Sequence, residues 1–284
     1  MGRLQEQMKR DMELRNFSPK TIRIYLGWMK AFVVHYGQRP EQMGDDEIRG
    51  YLHFLLKGKD ASQASLSQAY SAMKFFYEKT LGRDWNENGI PRARREKRLP
   101  VVLSPEEVQE IFGKIRNLKH RTILVTIYSG GLRVGEAVRL QVGDIDSKRM
   151  LIRVRQGKGH KDRYTLLGKR TVEMLRIYWD VYRPKQWLFP STNVDRPLSA
   201  SSVRKVFKKA VDEAGIRKEA TVHTLRHSFA THLLEAGNDV FYIQRLLGHS
   251  TARTTAVYLH VTRQDIKNIR SPIDLIEERE ETLM

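Results

Sequence analysis

The second half of the chain carries a set of polar side chains suited to moving a phosphoryl group. Arg133 follows a Gly130-Gly131 turn at the start of a helical pattern, and Lys158 lies between Gly157 and Gly159. His223 and Arg226 stand three apart in "HTLRHSFATHLL", and "LLGHSTARTTAVYLHVT" adds His249 and Tyr258. Arginine presents fixed N–H forks that match phosphate oxygens two at a time. Histidine donates a hydrogen bond or moves a proton, lysine can protonate a departing oxygen, and tyrosine can act as a nucleophile. A phenol with an ordinary pKa is only ~0.1% ionised at neutral pH, so it needs a base or nearby cations. The same cations would stabilise charge building on phosphate oxygens in the transition state.

Taken singly, each residue also has a plain structural reading. Tyr258 could be an amphipathic core residue, Arg133 a surface arginine paired with Glu136, and Lys158 part of a soluble turn. His223 and His227, at i and i+4, resemble half of a zinc site. A protease helix of that kind would need glutamate where Thr224 stands. What separates the readings is the order and company of the residues.

The elements that must position them divide into two groups. At 284 residues the chain can form two ordinary domains, each with its own core. It has 51 Lys+Arg against 33 Asp+Glu, a net charge of +18, which suits a polyanionic partner. There is no cysteine, which excludes disulfides, thiolate zinc sites and cysteine nucleophiles together. No run approaches the roughly 20 apolar residues of a spanning helix, and no signal peptide precedes the first polar run. A cytoplasmic, nucleoid-associated protein that binds nucleic acid and not membrane is the expectation.

Residues 1–86 read as an all-helical domain. Ser18-Pro19 opens a helix through Ile22, Tyr25, Leu26, Met29, Phe32 and Val33. Asp45-Asp46-Glu47 opens a second, and a third carries Leu66, Ala69, Tyr70, Met73 and Phe76. Residues 87–101 form a linker whose basic run, Arg92, Arg94, Arg95, Lys97 and Arg98, is opposed only by Glu96 within it. That run is either solvated or laid along phosphate. A second domain, 102–270, starts at the capping box Ser104-Pro105-Glu106-Glu107. A helix around Ile123–Tyr128 ends at Gly130-Gly131, and another carries Val134, Ala137, Val138 and Leu140. A β-hairpin alternates Ile152 and Val154 with Arg153 and Arg155, turns at Gly157–His160 and returns through Tyr164 and Leu166. Helical patterns then resume. Residues 271–284 are an acidic tail, either a frayed terminus or a segment that docks on a neighbouring protomer.

The segments "SGGLRVGEAVRLQVGDID", "GKGHKDR", "HTLRHSFATHLLEAG" and "LLGHSTARTTAVYLHV" resemble the boxes of the tyrosine recombinases, the phage integrase family. The likeness runs in family order over most of Leu103–Val261, and the compact length is closest to Xer-type recombinases and small mobile-element integrases. "SPKTIRIYLGWMKAFVVHYG" is similar to the family's helical core-binding, SAM-like domain. The resemblance implies a mainly α catalytic domain with a small β-sheet (α+β), and a C-shaped clamp around DNA. It makes Tyr258 the nucleophile forming a 3′-phosphotyrosyl bond, with Arg133 and Arg226 on the non-bridging oxygens. Lys158 would be the general acid, although Lys161 on the same hairpin is an alternative. His223 would assist proton transfer, His249 would bond the phosphate, and Glu136 would support the site from behind. No metal and no cofactor are implied, and rejoining needs no ATP. The partners are double-stranded DNA and a homotetramer on two DNA sites, alone or with a paralogous recombinase or accessory protein.

Two rival functions fit parts of this pattern. A type IB topoisomerase would relax DNA without a partner duplex, and a DNA-binding regulator would retain the boxes without catalysis. Target sequence is not legible, because specificity rests on base contacts and DNA shape.

Overall fold

The computed structural model describes residues 2–92, 99–155 and 162–248, together with Thr255. The chain divides into two compact units, Met1–Lys97 and Arg98–Met284. Among the described residues no helix is long and apolar enough to cross a membrane.

The first unit is helical. It comprises α1 (Gly2–Leu14), α2 (Pro19–Tyr36), α3 (Asp45–Lys57) and α4 (Gln63–Phe75), which runs on into a π turn at Phe76–Thr80. The Ser18 hydroxyl accepts a bond from Thr21 N at 3.1 Å, with Pro19 in the first turn where its missing N–H costs nothing. Helix α1 has no counterpart among the helices read from the sequence. Its buried stripe is only Met8 and Met12, one turn apart, and charged residues surround them. Both methionines join Met29, Phe32, Ile48 and Met73 in a single core.

The second unit is mostly helical around a small sheet. Its elements are α5 (Pro105–Lys114), α6 (Leu118–Gly130), the one-turn α7 (Val134–Ala137), β1 (Ile145–Asp146), β2 (Leu151–Val154) and β3 (Arg163–Leu166). Then follow α8 (Lys169–Tyr182), α9 (Ala200–Glu213), α10 (Val222–Glu235) and α11 (Val240–Leu247). The Ser104 capping box is complete. Glu107 N donates to the Ser104 hydroxyl at 3.3 Å, and Ser104 N donates to Glu107 Oε2 at 2.7 Å. Helix α6 is the buried axis of the unit, with Ile123, Leu124 and Ile127 fully enclosed.

Gly131 ends α6 at φ 58, in the left-handed region. A Cβ there would lie 2.4 Å from the Phe229 ring, so both backbone and space demand glycine. The helix expected from Val134 to Leu140 stops after one turn instead. Leu140 O accepts a bond from Leu188 N at 2.8 Å, which draws the chain out of the helix.

The sheet is antiparallel in the order β1-β2-β3. Ile152 and Val154 face the core as expected, but Tyr164 and Leu166 point outward, 55% and 38% exposed. The reason is register: Ile152 pairs with Thr165 and Val154 with Arg163, and opposed residues share a face. Thr165 meets its buried surroundings by donating to Gly130 O at 2.8 Å. Arg163 therefore stands on the inner side of β3. The expected turn at Gly157–His160 lies outside the described residues.

Candidate active site

Four of the residues singled out from sequence, Arg133, Glu136, His223 and Arg226, come together where α7, α10 and the ends of α6 and α11 meet. Arg133 occupies the N-cap of α7, presented by the Gly131 turn. Glu136, one turn on, is 5% exposed and reaches back to accept from Arg133 N at 2.8 Å and from Arg133 Nη1 at 2.7 Å. This local loop of bonds fixes the Arg133 guanidinium while leaving its side chain 27% exposed. Arg226, on the first turns of α10, lies 3.9 Å from Glu136 Oε2 and is 1% exposed. It donates to Gly131 O and to Leu247 O, both at 2.6 Å, joining the end of α6 to the end of α11.

A residue not singled out from sequence completes the cluster. Arg163 donates from both Nη atoms to the two Glu136 oxygens, each at 2.9 Å, and from Nε to Leu246 O at 2.9 Å. The bidentate pair is the strongest geometry available to a guanidinium and a carboxylate. The sequence does not mark it, because Arg163 faces inward only through the register that sets it opposite Val154.

These contacts set the charge state of the site. Burial pushes the Glu136 carboxyl up, but bonds and charge from Arg163, then bonds from Arg133, outweigh it and hold the pKa at about 2. Glu136 is therefore an anion at any working pH. His223, in the first turn of α10, has an exposed side chain. Its pKa is lowered by desolvation first and then by the Arg226 and Arg133 charges, with Glu136 opposing them. Its ring is thus neutral at neutral pH and able to accept a proton. His227 packs against it with ring centroids 4.5 Å apart, and desolvation, His223 and Arg226 hold its pKa down at about 4. Among the described residues no group of three or more histidine, aspartate or glutamate side chains is gathered as a metal site.

Lys158, Lys161, His249 and Tyr258 lie outside the described residues, as do Arg94, Arg95, Lys97 and Arg98. Arg92 is described: its Nη2 donates to Ser67 Oγ at 3.3 Å, and its guanidinium lies 5.8 Å from the Tyr70 ring centre. It thus rests on α4 of the first unit.

A buried carboxylate that gathers three arginines beside a neutral, exposed imidazole defines an oxyanion-handling site. The carboxylate fixes the cations, and the partly exposed Arg133 and the imidazole are suited to a phosphoryl or acyl oxygen. Comparison with known proteins narrows this class. Residues 101–265 match the Phage integrase family, and residues 4–87 match the Phage integrase N-terminal SAM-like domain. The Sinorhizobium fredii chain y4qK, a candidate integrase/recombinase by name, is 43% identical over 277 residues, covering 97% of this chain and 90% of its own. Tyrosine recombinase XerA of Thermococcus onnurineus is 34% identical over 279 residues, covering 96% and 95%. A crystal structure of XerA recombinase aligns over 99% of this chain and 98% of its own, with TM-score 0.52 and 28% identity. A lambda integrase dimer bound to a COC′ core site shares the fold, with TM-score 0.75 at 20% identity over 95% of this chain and 99% of that one. The chain belongs to the phage integrase family of tyrosine recombinases.

Proposed function

We propose that this chain is a site-specific DNA recombinase that cuts and rejoins strands through a tyrosine–phosphate bond. The observation that carries the reading is the Glu136 cluster, which fixes Arg133 by two bonds and leaves it partly exposed next to a neutral His223. Charge stabilisation and positioning are the main demands of phosphoryl transfer.

In this reading the Tyr258 oxygen attacks a DNA phosphorus and the P–O5′ bond breaks. Neutral His223 assists removal of the phenolic proton, and Lys158 delivers a proton to the departing 5′-oxygen. Lys161 is the alternative donor. Arg133 and His249 hold the non-bridging oxygens. Arg226, beside Glu136, joins them on the phosphate. A 5′-hydroxyl from a second duplex then attacks the phosphotyrosine, and the bond energy is retained without ATP.

Four protomers on two duplexes perform this twice through a Holliday junction. The domains, 1–86 and 102–270, each bind duplex DNA, with the basic segment 87–101 contributing phosphate contacts, inside the cytoplasm on the nucleoid. The role is movement of a mobile element or resolution of chromosome dimers. Lambda integrase provides solved examples of a DNA-bound dimer and of a tetramer on a Holliday junction.

The test is incubation with a nicked duplex carrying the sequences that flank the gene, followed by denaturing electrophoresis. The reading expects a covalent protein–DNA adduct with the wild-type chain and none with Tyr258→Phe, at similar DNA affinity. On a supercoiled plasmid carrying the same sequences, relaxation with no strand exchange would favour a topoisomerase, and binding without any adduct on either substrate a regulator.

A further inference from the structure

The Glu136–Arg163 pair does more than neutralise a buried charge. All three nitrogens of the Arg163 guanidinium have an acceptor, two on Glu136 and one at Leu246 O. A guanidinium held on every nitrogen and 10% exposed is not placed to grip a phosphate as well. Its two sets of partners, however, belong to opposite sides of the site. Glu136 holds Arg133, whereas Leu246 is in the last turn of α11, immediately before the segment that carries His249. The α11 end is built around this arm: Gly248 has φ 63, and a Cβ on it would lie 2.7 Å from Arg163 Cδ. Arg226 makes the parallel link from α10, to the neighbouring Leu247 carbonyl.

Resting on the recombinase reading above, we propose that Arg163 is a positioning residue that couples the α11 end to the Glu136–Arg133 pair, so that both halves of the phosphate site are set together. Cationic groups at a helix C-terminus are favourable, so the α11 end is a natural seat for its Nε. Arg163 also provides the largest opposition to the burial that pushes the Glu136 carboxyl up. Among the described residues, the charged or titratable groups facing that carboxylate are Arg133 on α7, Arg163 on β3, and Arg226 and His223 on α10.

Arg163→Met keeps the apolar stem and removes the guanidinium. The Glu136 pKa then rises, and on protonation Glu136 loses its hold on Arg133. The measurement is the single-turnover rate of adduct formation on a nicked duplex from about pH 5.5 to 8.5, as a ratio to wild type, with DNA affinity and thermal melting alongside. We expect cleavage ~10-fold slower at the alkaline end, a further loss toward the acid end, and affinity within ~3-fold. Arg163→Lys restores the charge without the three-way fork, so its ratio should be flat with pH yet still below one. A residue that merely holds the fold would lower the rate by the same factor at every pH, and that result overturns the proposal. If Arg163→Met fails to fold, Arg163→Lys decides: wild-type cleavage by it also overturns the proposal. Absence of any adduct from the wild-type chain would instead refute the recombinase reading.

Discussion

Glu136→Gln isolates the carboxylate that holds the site together. The amide is nearly isosteric, so packing is kept, but four donors lose a charged acceptor: Arg133 N, Arg133 Nη1 and both Nη atoms of Arg163. Two routes give the size of the effect. Removing one partner of a buried ion pair costs about 3–5 kcal/mol, because the other is left uncompensated. Independently, a carboxyl shifted from 4.5 to about 2 on folding contributes ~3 kcal/mol at neutral pH. The sign follows from a depressed folded pKa: the contribution is fully present above 4.5 and is lost as pH falls toward 2. Urea denaturation of the full chain, following the second unit's transition, should show Glu136→Gln destabilised by ~3 kcal/mol at neutral pH, with the gap shrinking through that acid window. Adduct formation should fall by at least ~100-fold as Arg133 loses its orientation. A variant within ~0.5 kcal/mol of wild type, or a gap constant down to about pH 3, would refute the view that Glu136 is an anion locked between arginines.

Other perturbations test separate parts of the account. Gly131→Ala places a methyl against Phe229 and forces a left-handed backbone on alanine, and should lower stability by ~2 kcal/mol or more in a thermal melt. Arg133→Lys keeps charge but loses the planar fork; strand cleavage should drop severely while DNA affinity changes little, and near-normal cleavage would make Arg133 an ordinary surface residue. EDTA should leave wild-type cleavage unchanged, whereas full inhibition would indicate a metal nuclease. Deleting Ser271–Met284 should spare single-site binding and weaken tetramer assembly and recombination; unchanged assembly by light scattering would leave the segment without a docking role.

What could be read from the sequence followed from local chemistry. Ser18-Pro19 and the Ser104 box mark helix starts because their side chains serve their own backbone, and the structure places both caps there. Gly131 ends α6 as its position after an apolar helix implies. Long-range pairing was less legible. The orientation of β3 depends on the register Ile152–Thr165, which alternation alone does not fix, so the outward face of Tyr164 and Leu166 is not legible in the sequence. The same register hides the role of Arg163, whose partners Glu136 and Leu246 are 27 and 83 residues away. Helix α1 falls in the stretch read as all-helical, but its bounds are not legible, because two methionines among charged residues carry little periodic signal. Arg133 and Glu136, three residues apart, were visible as a pair, but not as a pair that buries the carboxylate beneath two further arginines.

The central claim is that Tyr258 carries the DNA strand during the reaction. Its most direct test is to trap the adduct on a nicked duplex, digest protein and DNA, and map the linked peptide and the DNA end by mass spectrometry. The account predicts a nucleotide joined through its 3′-phosphate to Tyr258, with a free 5′-hydroxyl on the opposite side of the break. A link to any other residue, a 5′-phosphate attachment, or cleavage with no protein-bound product would contradict it.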